Sequence, residues 1–258
     1  MSFLQELIDE ILSHLSPRDK EDQQPLRNRS LVAKSWISSS RRRLFETVLI
    51  TRASRQSWLD NISPSNTGPL RHVRSFRFFG SGHRERGPSS KYADFDDLHV
   101  YFPSLCRLHT IDLSYTHISS DIPQQIEMFS SCQQVLSSLI FITVSLPWRS
   151  FITIIDYFPN LRYLKLRSLS FEDTNRNPPP LSGPLCGKLC YLSEEEYLIA
   201  LSNWFTGLEV EYEELEVEVG YVSGMCSQRI VATCARTLKR LKFQLCECRA
   251  LGRGTNFS

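Results

Sequence analysis

The first fifteen residues carry apolar side chains at intervals of three and four positions. These positions are Leu4, Leu7, Ile8, Ile11, Leu12 and Leu15, and acidic residues occupy the opposite side. Such spacing predicts an amphipathic helix, which ends at Ser16-Pro17. A second helical segment follows, with Leu31, Val32 and Trp36 among its periodic positions. Two short helices can bury only a small hydrophobic core. Their apolar faces therefore either dock on a partner or cap the domain that follows.

Beyond residue 69 the apolar pattern changes to that of short strands. Residues 161–166 read Leu-Arg-Tyr-Leu-Lys-Leu, which places Leu164 and Leu166 on one face of a strand. Similar cores occupy residues 73–78, 108–113, 139–144, 212–217 and 238–243. The step of 51 residues between the centres of the cores at 161–166 and 212–217 indicates one further strand between them. Apolar periodicity also predicts helices over 151–157 and 194–204.

The alternation of short strands and helices favours a short, irregular leucine-rich-repeat solenoid, since one such repeat cannot bury its own apolar face. An ordinary α/β domain with leucine-rich strands is the alternative. A segment rich in Ser, Asn, Gly and Pro precedes the strands and predicts a connector. We therefore divide the chain into a helical unit at 1–50, a connector at 51–69 and divergent leucine-rich repeats at 70–258.

The sign of the charged residues changes from one predicted strand to the next. Residues 194–218 contain nine Glu and no Lys or Arg, whereas residues 229–253 contain seven basic residues and a single Glu. Either neighbouring strands neutralise each other, or the concave face of the solenoid presents a bipolar surface that binds a charged segment of a target. The candidate target-binding residues are Lys165, Arg167, Glu214, Glu216, Glu218, Arg240 and Lys242.

Charge and composition exclude several classes of partner. The 30 Lys and Arg against 28 Asp and Glu leave a net charge of +2, too small to gather nucleic acid or anionic lipid. The amino-terminal residues do not resemble a secretory signal, and the longest apolar run is about half of a membrane span. Eight irregularly spaced cysteines are typical of free thiols in a reducing compartment. We expect a soluble protein of the cytoplasm and/or nucleus that binds neither nucleic acid nor membrane.

No motif carries a specific catalytic or metal-binding pattern. Residues 80–87 are rich in glycine, but the last glycine comes too late for a phosphate-binding loop. His109, Asp112 and His117 lie close in sequence without a recognisable nucleophile nearby. The spacing and histidine partners of zinc modules are missing from two cysteine pairs, Cys186 with Cys190 and Cys246 with Cys248. We expect no catalytic residue, metal or cofactor, and the rival is a small enzyme whose site is assembled from distant residues.

Three blocks of the first fifty residues stand in a recognisable order and spacing. They are Phe3-Leu-Gln-Glu-Leu-Ile-Asp-Glu-Ile-Leu-Ser-His-Leu15, Arg29-Ser-Leu-Val-Ala-Lys-Ser-Trp36 and Ser40-Arg-Arg-Arg-Leu-Phe-Glu-Thr-Val48. Together they resemble an F-box, particularly the fungal variety, over about residues 3 to 48. The sequence departs from the family pattern at Phe3 and Leu4, where the family usually carries Leu and Pro. The strand region resembles the divergent leucine-rich repeats that follow the F-box in many fungal proteins.

The resemblance implies an α/β chain in which a small helical F-box is followed by a short, irregular leucine-rich-repeat solenoid. It further implies a substrate-recognition subunit of an SCF-type (cullin-RING) E3 ubiquitin ligase, which binds the adaptor subunit of the cullin complex and an unknown target protein. The matching adaptor-binding positions are Phe3, Leu4, Leu7, Ile8, Ile11, Leu31, Val32 and Trp36. Which of them face the adaptor and which pack inside the F-box stays open. The alternative is an F-box scaffold that acts outside ubiquitination.

Overall fold

The computed structural model describes residues 40, 42–51, 54, 70–80, 93–94, 102–118, 126–171, 181, 183, 185–193, 201–205, 210–219 and 224–245. The helices predicted within residues 1–39, and with them all eight predicted adaptor-binding positions, lie outside these residues. None of the helices within these residues has the length and hydrophobicity that a membrane span requires.

Ten β-strands of the described residues form a single sheet, and each strand pairing in it is parallel. In chain order they are β1 (Thr47–Thr51), β2 (Ser75–Phe79), β3 (Ala93–Asp94), β4 (Thr110–His117), β5 (Ser138–Leu146), β6 (Tyr163–Arg167), β7 (Ser170–Phe171), β8 (Leu185–Ser193), β9 (Val210–Val219) and β10 (Arg240–Leu245). The path across the sheet is β1-β2-β4-β5-β6-β8-β9-β10, while β3 pairs with β4 and β7 with β5. The eight strands of this path therefore follow one another in chain order.

Short helical elements connect the strands. Helix α1 (Trp148–Tyr157) follows β5, helix α2 (Gly224–Cys234) precedes β10, and residues 201–205 are also helical. Among the described residues, 3-10 helices span Leu70–His72, Phe102–Ser104 and Ile126–Cys132. Helix α1 begins directly after Pro147, whose ring fixes a φ of −62° and leaves no N–H to satisfy at the helix start. This helix confirms the one predicted at 151–157 and extends it by one turn.

The predicted fold class, a small helical F-box followed by a short leucine-rich-repeat solenoid, is wrong. The described residues form a parallel sheet with few helices, an α/β-like fold, which is the alternative named above. The leucine pattern encodes which face of each strand is buried. It does not encode the connections, and these range from a 3-10 helix at Ile126–Cys132 to the eleven-residue helix α2.

The boundary predicted at residue 50 falls within β1. This strand pairs over its whole length with β2, so the sheet begins inside the segment assigned to the F-box. Residues 1–39 and 55–69 lie outside the described part of the chain. The division into 1–50, 51–69 and 70–258 therefore stays a prediction.

The core lies on one face of the sheet, where alternate strand residues are apolar. Phe76 of β2 and Leu164 and Leu166 of β6 are at most 2% exposed. Aromatic rings of the connections extend this layer, as where Phe102 meets Phe129 edge to face with ring centroids 4.6 Å apart. Burying a side chain of this size contributes roughly 1.5–3 kcal/mol relative to leaving it exposed. The layer beneath the sheet is therefore the main source of stability.

A row of left-handed backbone conformations crosses neighbouring strands. Tyr115, Thr143 and Ser168 have φ values of 55°, 54° and 50°. Each directly follows a residue that is paired with a neighbouring strand, and Gly80 occupies the same position after β2. A Cβ on Gly80 would lie 1.9 Å from the carbonyl oxygen of Tyr115, so only glycine fits there. Past this row the short strands β3 and β7 join β4 and β5.

Candidate functional site

The face of the sheet opposite the core, which we call the outer face, carries the residues predicted to bind a target. Strand register aligns its positions in rows. One row runs Thr47, Ser75, Thr110, Ser138, Tyr163, Lys188, Glu214 and Arg240. The second runs Leu49, Arg77, Asp112, Ile140, Lys165, Cys190, Glu216 and Lys242, and a third includes Arg167 and Glu218. All seven predicted positions thus fall in three adjacent rows.

Opposite charges meet where β8, β9 and β10 lie side by side. Arg240 donates a hydrogen bond to Glu214 at 3.0 Å, and Lys242 donates one to Glu216 at 2.7 Å. Lys188 of β8 lies 3.1 Å from Glu216 and 3.9 Å from Glu214. We call these five residues the charge network. Four of the predicted residues are thereby brought together as neutralised pairs, the first of the two explanations offered by the sequence.

The remaining predicted residues lie apart from the charge network. Lys165 and Arg167 are on β6, which β8 separates from β9. Glu218 is aligned in register with Gln244 of β10, but the structure describes only the backbone of Glu218 and not its side chain. The assignment of all seven residues to target binding stays a prediction.

Sequence reasoning missed Lys188. Its strand, β8, is the hidden strand indicated by the 51-residue step, but its apolar pattern is interrupted by Gly187. The register between β8 and β9 shifts there: Gly187 pairs with Tyr212, whereas Lys188 pairs with Glu214. The 51-residue step between neighbouring cores could have located this strand. Its single lysine could then have been paired with the glutamates of β9.

The two ammonium groups beside Glu216 hold the pKa of its carboxyl below the usual range. The hydrogen bond from Lys242 contributes most and that from Lys188 comes next, while burial acts in the opposite direction. The folded state therefore favours the charged carboxylate. This contribution to stability is present above the ordinary carboxyl pKa and is lost as the pH falls through the lowered pKa.

Replacing Glu216 by glutamine will lower the free energy of unfolding at pH 7 by about 1 kcal/mol, because two cations lose their shared carboxylate. Solvent screens part of the interaction, since the Lys242 side chain is 59% exposed. Urea denaturation across a pH series measures the difference, which shrinks as the pH falls below about 4. Glu213→Gln, which removes the more exposed pair with Lys239, is the matched control. A difference at pH 3 as large as that at pH 7 would contradict the assignment.

Near the other end of the outer face, a second ion pair joins β2 to β4. Arg77 Nε donates to Asp112 Oδ2 at 2.9 Å, and Ser114 Oγ donates to Asp112 Oδ1 at 3.0 Å. The Asp112 side chain is 8% exposed, so these bonds satisfy a buried carboxylate. Phe79 packs on Tyr115 beside this pair with ring centroids 4.9 Å apart. These contacts give Asp112 a structural role in holding β4 against β2.

The described residues provide little for metal or nucleophilic chemistry. Among them, no group of three or more His, Cys, Asp or Glu side chains could hold a metal ion. His109 Nδ1 lies 3.0 Å from the carbonyl oxygen of Val135, a contact separate from those of Asp112. Burial raises the pKa of Cys132 to about 12 and that of Cys234 to about 11, so both stay protonated and are poor nucleophiles. That the protein lacks a catalytic residue stays a prediction.

The predicted adaptor-binding site, from Phe3 to Trp36, lies outside the described residues, so it depends on the sequence alone. The outer face, in contrast, can be described: its charge network lies next to Tyr163 of β6, which pairs in register with Lys188. The sequence matches no protein-family model, and no curated protein matches it.

Proposed function

We propose that this protein is a substrate-recognition subunit of an SCF-type (cullin-RING) E3 ubiquitin ligase, located in the cytoplasm and/or nucleus. Residues 3–48 bind the adaptor subunit, and the outer face of the sheet binds the target protein. The other subunits of the ligase transfer ubiquitin, so this chain contributes binding and is not an enzyme. The single observation that carries the proposal is the order and spacing of the three F-box-like sequence blocks.

The junction between the third block and the sheet supports this division of roles. Residues 42–44 are helical, and β1 begins three residues later. Arg43 pairs with Glu46, whose carbonyl oxygen accepts hydrogen bonds from the backbone N–H groups of Arg74 and Ser75 at 2.9 and 3.0 Å. These contacts fasten the end of the block to β2. A receptor benefits from such a junction, because group transfer is efficient only when the reacting partners are held in position.

Replacing Trp36 by alanine, or Ile8 by glutamate, will abolish capture of the adaptor subunit. Truncating a buried aromatic anchor typically costs about 2 kcal/mol or more of binding free energy, and a buried unpaired charge costs more. The measurement is a pull-down of purified adaptor by the intact chain and by each variant, with circular dichroism to show that the sheet is retained. Lys239→Gln, just before β10, is the control that leaves capture unchanged.

Unimpaired capture of the adaptor by both variants would contradict the proposal. The second candidate function is a scaffold that acts outside ubiquitination, and the Phe3-Leu4 opening favours it because the family usually carries Leu and Pro there. In that case the unchanged protein fails to capture the adaptor, and the double substitution Phe3→Leu with Leu4→Pro restores capture. If neither the unchanged protein nor the double variant binds the adaptor, residues 3–48 do not form an adaptor-binding site.

A further inference from the structure

Among the described residues, β10 is the last strand of the sheet and pairs with β9 alone. Elsewhere in the sheet, outer-face residues donate their backbone N–H to the preceding strand, as Ser75 does to the Glu46 oxygen at 3.0 Å. Successive N–H groups of a strand point to opposite sides. By the same register, the N–H groups of Leu241 and Phe243 point away from β9. No strand of the described residues pairs with these groups, so they form an open edge that a further strand can pair with.

The side chains of β10 present two different surfaces along this edge. Leu241 and Phe243 are 40% and 57% exposed, whereas their register partners on β9 are at most 1% exposed. On the outer face, Arg240 and Lys242 are bonded to glutamates of β9, and their side chains remain 73% and 59% exposed. The edge thus combines apolar groups on the core side with cations on the outer side.

Strand β9 shows which sequence complements β10. It reads Glu-Leu-Glu-Val over residues 214–217, so acidic and apolar residues alternate. Its carboxylates bind the cations of β10 at 3.0 and 2.7 Å, and its apolar residues lie beside Leu241 and Phe243 on the core side. Since β10 has the same side chains within reach of its other edge, a second strand with the β9 pattern can make matching contacts there.

We propose that the open edge of β10 binds an extended segment of a partner protein in which acidic and apolar residues alternate. The segment joins the sheet as a further strand: its carboxylates face Arg240 and Lys242, and its apolar residues cover Leu241 and Phe243. The alternation places these groups correctly in either strand direction. The inference rests on the proposed function only in taking this partner to be the target protein.

Charge distinguishes this occupant from two others. If a second copy paired β10 against β10 in antiparallel fashion, the cations at Arg240 and Lys242 would face like charges. The chain's own residues 246–258 contain a single acid, Glu247, beside Arg249 and Arg253, and so lack the alternating acidic pattern. A partner with alternating acids is therefore the complement that the charges of β10 favour.

The test uses a labelled peptide with the sequence of residues 213–219, Glu-Glu-Leu-Glu-Val-Glu-Val, and the intact chain. Fluorescence anisotropy measures binding of this peptide and of a control peptide, Glu-Glu-Glu-Glu-Leu-Val-Val, which has the same composition without the alternation. The chain carries either Phe243→Val or Phe243→Pro. The two side chains are similar in size, but only proline lacks the N–H that faces the edge, a change that edge strands tolerate.

We expect the alternating peptide to bind Phe243→Pro about tenfold more weakly than Phe243→Val, the loss of roughly one hydrogen bond, while both variants melt at similar temperatures. Equal affinity of the two variants, or equal binding of the control peptide, would overturn the proposal. So would dimerisation of the unchanged chain that Phe243→Pro abolishes, because a second copy would then occupy the edge. Adaptor capture by Phe243→Pro, measured separately, reports on the proposed function and not on this edge.

Discussion

Replacing Phe151 by alanine will lower the free energy of unfolding by about 4 kcal/mol. Phe151 is fully buried on α1, and its ring centroid lies 5.5 to 6.0 Å from those of Phe141, Trp148, Phe171 and Trp204. Alanine leaves a cavity that these rings, fixed on different elements, cannot close. Urea denaturation followed by tryptophan fluorescence measures the loss, since two of the surrounding rings are indoles.

Two further substitutions calibrate this result. Phe151→Leu keeps much of the volume, so we expect it to cost about 1–2 kcal/mol. Phe79→Ala removes a ring that is 40% exposed on the outer face, and we expect a loss below about 1 kcal/mol. If Phe151→Ala cost no more than Phe79→Ala, the ring cluster around α1 would not be the core that we describe.

Replacing Gly187 by alanine will destabilise the fold by roughly 3 kcal/mol. Gly187 has a φ of +94°, and a Cβ there would lie 2.2 Å from the carbonyl oxygen of Arg162. The same oxygen accepts the Lys188 N–H at 2.7 Å, so β8 must move away from β6. Lys188 then leaves its place beside Glu216, and we expect the pH dependence contributed by Glu216 to weaken in the same urea titrations.

Gly183 provides the matched control for this substitution. No heavy atom lies within 4 Å of a Cβ built on it, so Gly183→Ala should change the free energy of unfolding by no more than about 0.5 kcal/mol. Similar unfolding midpoints for Gly183→Ala and Gly187→Ala would mean that the shift in register at β8 does not need glycine.

The positions of the strands could be predicted because burial of one strand face leaves a period of two in the sequence. Leu164 and Leu166 were predicted to share a buried face, and both are at most 2% exposed on β6. The same period places Glu214 and Glu216 on one face of β9, opposite the basic residues of β10. For this reason the charged positions of β9 and β10 on the outer face were found from the sequence, whereas Lys188 of β8 was not.

The architecture could not be predicted on the same basis. The apolar pattern of residues 126–132 is compatible with an α-helix, but the segment forms a 3-10 helix with Ile126, Phe129 and Cys132 buried. The form of a connection is decided by the space that its neighbours leave, which the local sequence does not state. The repeat pattern consequently suggested a solenoid where the described residues form one α/β-like sheet.

Which charged residues pair with each other could also not be predicted from the sequence. Alternating signs on β9 and β10 were compatible with mutual neutralisation and with a bipolar binding surface. Only the structure shows that Glu216 is shared between Lys188 and Lys242, one on each neighbouring strand. A carboxylate held from both sides has a different acidity from one held from a single side, and no spacing in the chain reveals that.

The order of strands in the sheet bears on how the protein is assembled during synthesis. Thr47 pairs with Ser75 and Lys188 with Glu214, separations of 28 and 26 residues. Each strand of the sheet path after β1 can thus pair with a strand that has already been synthesised directly upstream. At a translation rate of about 5–20 residues per second, the edge of a strand stays unpaired for on the order of seconds before the next strand is synthesised. The sheet can grow from the ribosome one strand at a time, which covers in turn the edges at which nascent chains would otherwise aggregate.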